Sequence, residues 1–127
     1  GDVRFLEPLQ HEQMASLYHA SEFCLFPSQQ KEGLSRVTLE AMACGSLLLS
    51  AGNEGSHELI DDGVTGYTLP FERPEIVAEQ VLRLVENVGA YQEMVTRARQ
   101  KMKTSLTLEK AVEQIEQILR EAVRVKA

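Results

Sequence analysis

The sequence predicts an α/β fold: a parallel sheet of three to four strands with flanking helices. Continuous apolar runs, "FCLF" (Phe23 to Phe26) and "LLLS" (Leu47 to Ser50), read as strands buried on both faces rather than one. Segments with apolar residues at helical spacing lie between and after them. Buried strands alternating with helices imply parallel pairing through right-handed crossovers.

The elements follow in order. "VRFL" (Val3 to Leu6) reads as a short strand, followed by Pro8. Met14, Leu17 and Tyr18 fall at helical spacing, predicting a helix from Glu12 to Ala20. Pro27 stops "FCLF", and Val37, Ala41 and Met42 then mark one helical face ahead of "LLLS". A short helix is expected around His57 to Ile60, and "GYTL" (Gly66 to Leu69) is another buried run, ended by Pro70. Pro74 suits a first helical position, with Ile76, Val77, Val81, Leu84 and Val85 as its apolar stripe. Asn87 to Gly89 breaks that helix, and Tyr91, Met94, Val95, Ala98 and Met102 line the next. Thr107 is expected to cap a last helix. Its wide apolar face (Leu108, Ala111, Val112, Ile115, Ile118, Leu119, Ala122) is expected to dock on the sheet rather than form a coiled coil. With no internal repeat, low-complexity stretch or linker, residues 1–127 read as a single domain.

With 127 residues and 43% apolar composition, the chain can bury one core. A net charge of −6 argues against a broad basic face, and so against nucleic acid as a partner. A small anion remains compatible, because helix-start N–H groups hold phosphate without net positive charge. Cys24 and Cys44 sit in apolar contexts without metal or redox spacing, as expected of reduced cysteines in a cytoplasmic protein. No signal peptide is visible, and no apolar run approaches the roughly 18 residues of a membrane span. The chain begins just ahead of a strand-like run, which suggests a fragment.

The stretch "EGLSRVTLEAMACG" (Glu32 to Gly45) holds the candidate site. In an open parallel sheet, ligands bind where strands end and helices start. The segment leaving "FCLF" is small and polar, and Gly33 allows close approach of the backbone to a ligand. Free N–H groups around Leu34 to Thr38 would suit a diphosphate. If the segment were all helix, Glu32 and Glu40 would stand about 12 Å apart along the axis. Glycosidase carboxylates stand only about 5–9.5 Å apart across one bond. The wider spacing suits two acids gripping hydroxyls at either end of a long ligand, as in a nucleotide-sugar. Taken alone, such a pair is commonplace on solvated helix faces. Arg36 and Glu40 also fit an ordinary i, i+4 ion pair worth roughly 0.2–0.5 kcal/mol.

The wider context narrows this. "FPSQQKEGLSRVTLEAMACG" followed by "LLLSAGNEGSHELIDDGVTGYTLP" resembles the nucleotide-binding half of retaining GT-B glycosyltransferases of the group 1 family. The matching features are Pro27-Ser28, Glu32-Gly33-Leu34-Ser35, Glu40 to Gly45, Gly55 with Glu58, and Asp62-Gly63 with Gly66. The resemblance covers essentially the whole chain and implies a partial Rossmann-like fold, a truncated GT-B C-terminal half-domain. It implies Glu32 as the catalytic residue, holding donor-sugar hydroxyls and stabilising an oxocarbenium-like transition state. Amides of Gly33, Leu34, Ser35, Arg36, Val37 and Thr38 would bind the diphosphate, and Glu40 the ribose. No metal or other cofactor is expected, since the helix start and nearby basic groups take the leaving-group charge.

Two departures from the family pattern stand out. Leu34-Ser35 replaces the common Phe-Gly, and Glu54 occupies the first position of a usual glycine pair, which puts donor and acceptor details in doubt. His57 beside it reads as a surface helix residue rather than a general base. The resemblance also implies an absent N-terminal acceptor domain and two absent strands carrying a basic Arg/Lys pair. "FCLF" is then expected to have an open edge, to be covered by "VRFL" or by a second chain in a dimer. The parent enzyme would work in the cytoplasm or at the inner face of the membrane as a peripheral protein. Two alternatives stay open: a non-catalytic module for assembly or binding, and a nucleotide-sugar epimerase, disfavoured because epimerases lack the Glu-Gly-x-Ser to Glu-Ala-Met arrangement.

Overall fold

The computed structural model describes residues 1–30, 33–52 and 54–126, with the side chains of Glu54 and Lys126 excepted. Three strands form its sheet, β1 (Phe23–Phe26), β2 (Leu47–Ser50) and β3 (Tyr67–Thr68), all parallel in the order β1-β2-β3. The helices are α1 (His11–Ala20), α2 (Arg36–Ala43), α3 (Glu54–Leu59), α4 (Pro74–Glu86), α5 (Val88–Ser105) and α6 (Leu108–Lys126).

Strand β2 is the centre because its residues can leave water on both faces. Leu48 points into a cluster with Met42 of α2, Leu59 of α3 and Ala98 of α5, joined by Cys24 and Phe26 of β1. Leu49 points the other way, packing with Leu69 and with Val77 of α4. Leu47 meets Leu84 of α4 and Met94 of α5. Each fully buried leucine contributes about 1.5–3 kcal/mol relative to exposure. The continuous run "LLLS" thus reflects helices above and below.

Local signals set the boundaries. Pro74 opens α4 at its first turn, and Thr107 Oγ1 accepts from the Lys110 N–H at 3.3 Å, capping α6 as expected. Asn87 ends α4 and caps α5, its Oδ1 accepting from the Ala90 N–H at 3.2 Å. Helix α2 stops at a Schellman motif: Gly45 N–H donates to Met42 O and Ser46 N–H to Ala41 O. Gly45 has φ +85°, a left-handed value that glycine adopts without strain.

Three expectations are corrected. "VRFL" is not a strand; Val3 and Phe5 are exposed, Phe5 at 96%, and no described residue pairs with them. A strand needs a partner ladder and a covering face, and this segment has neither. It therefore leaves the outer edge of β1 uncovered, with Leu25 exposed beside it. The short third helix starts earlier than expected, at Glu54. Helix α6 does not dock on the sheet: every described side chain from Leu108 to Val125 is exposed. Helices α2, α5 and α4 already pack on the two sheet faces, and α6 takes no part in their clusters.

Because α6 buries nothing, a chain ending at Leu106 should keep its sheet domain. Its melting temperature should stay within about 4 °C of the full chain's, since roughly 1 kcal/mol corresponds to about 4–8 °C at this size. Circular dichroism during thermal melts checks this, and a collapse of the transition would show that α6 has packing partners.

Candidate functional site

Parallel pairing brings the carboxyl ends of β1 and β2 level, Phe26 opposite Ser50. The chain therefore leaves both strands, at Pro27 and Ala51, on the same side of the sheet, where α2 begins. Ser35 precedes α2 in an extended conformation (φ −77°, ψ 132°), and its hydroxyl caps nothing. Its carbonyl accepts the first helical bond, from Leu39 N–H at 3.1 Å. The N–H groups of Arg36, Val37 and Thr38 precede that bond and are left over, as at any uncapped helix start.

The candidate residues fall into place unevenly. Glu32 lies outside the described residues. Gly33 and Leu34 are exposed and rest against the start of α3: a Cβ added to Gly55 would stand 2.1 Å from Gly33 O and 3.1 Å from Leu34 N. Only glycine at position 55 allows the two backbones to approach this closely. Arg36 and Val37 are exposed. Thr38 is buried, and its hydroxyl donates to Ser35 O at 2.8 Å, so its side chain is committed to the backbone. Glu40 is half-buried one turn further on; its Oε1 lies 3.5 Å from Arg36 Nη2 and 4.0 Å from His11 Nδ1. Glu40 is the fifth of the eight residues of α2, one turn beyond the leftover N–H groups.

Sequence reasoning missed Glu40's neighbours across α1. His11, Ala15 and Tyr18 line a cavity of about 140 Å³ together with Glu40, Ala43 and Cys44. In the sequence Tyr18 belongs to the apolar stripe of α1, and its one distinguishing signal is a hydroxyl where an aliphatic residue would fill the stripe. Burial raises its pKa above the ordinary 10.0, and the Glu40 charge adds to the shift. Burial likewise pushes up the Cys24 thiol. His57 is exposed on α3, as a surface helix residue would be. Among the described residues no group of three or more His, Cys, Asp or Glu could hold a metal ion, and no helix is long and apolar enough to cross a membrane.

These features, parallel strands ending at an anion-suited helix start, match GT-B glycosyltransferase domains. The protein HepE of Anabaena in complex with UDP-glucose superposes with TM-score 0.72 and 26% identity, over 85% of this chain and 30% of HepE. The C-terminal domain of the group 1 glycosyl transferase LpcC from Francisella tularensis, at 19% identity and TM-score 0.67, shares the fold over 84% of this chain and 53% of that one. The model of the family described as Glycosyl transferases group 1 matches residues 1–87, and the chain belongs to that family.

Among its curated relatives, an uncharacterized glycosyltransferase of Methanocaldococcus jannaschii is 26% identical over 121 residues, 95% of this chain and 31% of its own. The N-acetyl-alpha-D-glucosaminyl L-malate synthase of Bacillus anthracis is 33% identical over 113 residues, 89% of this chain and 29% of its own. The chain spans less than a third of the length of either relative.

Replacing Gly55 with Ala should displace the Gly33–Leu34 backbone and cost about 1–3 kcal/mol, as overpacking does. The expected readout is a lowered denaturation midpoint with the largest amide shifts at Gly33 and Leu34. Alkaline pH gives a second check. Tyr18's folded pKa lies above its unfolded value, so its contribution is complete below pH 10.0 and is lost as pH rises through the folded value. Melts from about pH 9 to about pH 11 should show falling stability, less steeply in Tyr18→Phe.

Proposed function

We propose that the chain is the donor-binding part of a retaining glycosyltransferase, which moves a sugar from a nucleoside diphosphate to a glycan, lipid or other acceptor. The observation that carries this is the uncapped start of α2 beside Glu40, with its turn seated on Gly55, in a chain of the group 1 family. HepE, a structural neighbour, is bound to UDP-glucose, which supports a nucleotide-sugar as the ligand class and UDP as the first probe.

In this reading residues 1–127 form one truncated nucleotide-sugar-binding domain, and the acceptor domain belongs to the rest of a longer, cytoplasmic parent. The amides from Gly33 to Thr38 receive the diphosphate. A charge at an exposed helix start gains typically about 0.3–1 kcal/mol, and more as the cleft closes and water leaves. As the bond from sugar carbon to diphosphate oxygen breaks, negative charge gathers on the leaving group, and helix-start donors stabilise it. Glu32 holds donor-sugar hydroxyls and stabilises the positive charge developing on the ring. Glu40 holds ribose hydroxyls; Arg36 contacts only its Oε1, leaving acceptor capacity for a diol. No metal is required in this scheme. The isolated chain has half of a cleft and should bind without turnover.

Isothermal titration of the chain with UDP should give saturable heat, and Glu40→Ala should weaken binding about tenfold or more, as expected for hydrogen bonds to a charged group. In the full-length parent, Glu32→Ala should abolish transfer while sparing UDP affinity. Absence of heat with UDP, GDP and ADP alike would overturn the assignment of the phosphate site.

A further inference from the structure

Helix α6 has 19 residues, a length of about 28 Å, and every described side chain from Leu108 to Val125 is exposed. Large apolar residues are among them, Ile115 at 56% and Ile118 at 63%, and none joins a core cluster. Helices in proteins owe most of their stability to an amphipathic face packed on something. The stripe of α6 therefore calls for a covering surface that the rest of the described chain does not supply.

The order of residues in the stripe points to the occupant. Leu108, Ala111, Ile115, Ile118, Ala122 and Val125 recur at intervals of three, four, three, four and three. That alternation makes the seam of a two-helix coiled coil, and it reads the same from either end. Turned end for end about the point between Glu116 and Gln117, the helix sets Val125 opposite Leu108, Ala122 opposite Ala111 and Ile118 opposite Ile115. Small residues meet small ones and large meet large. Val112 and Leu119 widen the stripe on one flank, and the same reversal brings them together. A two-fold pair of identical helices needs this symmetry, because its one patch must complement itself. An unrelated groove does not.

Charge decides the direction. Glu109, Glu113 and Glu116 outnumber Lys110 in the amino half, while Arg120 and Arg124 outnumber Glu121 beyond it. Antiparallel pairing lays the acidic half of one helix along the basic half of the other and opposes the two helix dipoles. Parallel pairing sets acid beside acid. The glutamates also offset the basic residues, unlike the Lys/Arg-rich polar face of a helix that lies on a membrane.

We propose that α6 is a self-association surface, pairing antiparallel with α6 of a second copy of this chain to give a two-fold dimer. The pairing is independent of the nucleotide-site reading. An interface of one short helix from each copy places the dimer among the weak, concentration-dependent complexes. Since α6 takes no part in the core clusters, dissociation leaves the sheet domain intact.

The test is sedimentation velocity of the 127-residue chain from about 1 to about 100 µM, in low and high salt, with circular dichroism as the folding control. Wild type should pass from monomer to dimer over that range. Ile115→Glu/Ile118→Glu and a chain ending at Leu106 should both stay monomeric and keep the melt of the sheet domain. Glu109→Lys/Glu113→Lys makes both halves basic, so it should weaken an antiparallel dimer about three- to tenfold at low salt and less at high salt. A parallel dimer, with like charges facing before and after, would not respond. A monomer at every concentration overturns the proposal and leaves the stripe to a different occupant. A dimer that survives loss of the α6 stripe also overturns it and points to another surface, such as the open edge of β1. A dimer indifferent to the charge reversal at low salt overturns the antiparallel direction.

Discussion

Everything in this fold depends on the complete burial of one four-residue strand. Because β2 gives Leu48 to the α2/α5 layer and Leu49 to α4, helices are obliged to lie on both sheet faces. The parallel direction follows, since each crossover must carry a helix back. Parallel direction in turn sets the carboxyl ends of β1 and β2 side by side, and the start of α2 comes with them. Burial of apolar surface thus determines where backbone donors can meet an anion. Neither α6 nor residues 1–8 packs on these faces; all their described side chains are exposed.

The site has a second constraint, made by backbone against backbone. The turn at Gly33–Leu34 leans on Gly55, so the segments after β1 and β2 are held to one another without side chains. Such a contact is stiff, because a peptide group has no rotamer to change. It couples the turn to α3, which begins one residue before Gly55.

Much of this was legible from the residues. "FCLF" and "LLLS" announce buried strands because no alternation interrupts them, and Pro74, Asn87 and Thr107 mark helix ends through chemistry that acts within a turn. Gly45 likewise closes α2 by a local rule. What could not be read was anything decided by distant packing. "VRFL" has the composition of a strand, yet pairing depends on a neighbour that its own residues do not supply. The stripe of α6 signals a buried face, but whether a face is free to receive it depends on other helices. At the site, the Gly33–Gly55 approach joins residues 22 positions apart, and the cavity beside Glu40 arises from opposed alanines on separate helices. Glu32 lies outside the described residues.

Asn87 has a consequence for how the molecule can move. It terminates the helix on one face of the sheet and starts the helix on the other, with no intervening spacer. A joint this tight works as an elbow with fixed forearms: sliding of α4 along the sheet must drag α5 with it or forfeit a cap. The two helical layers are therefore a single mechanical unit, gripping the amino end of β2 as a clip grips paper. Compliance is left to the opposite rim, where the strands end and the turns open.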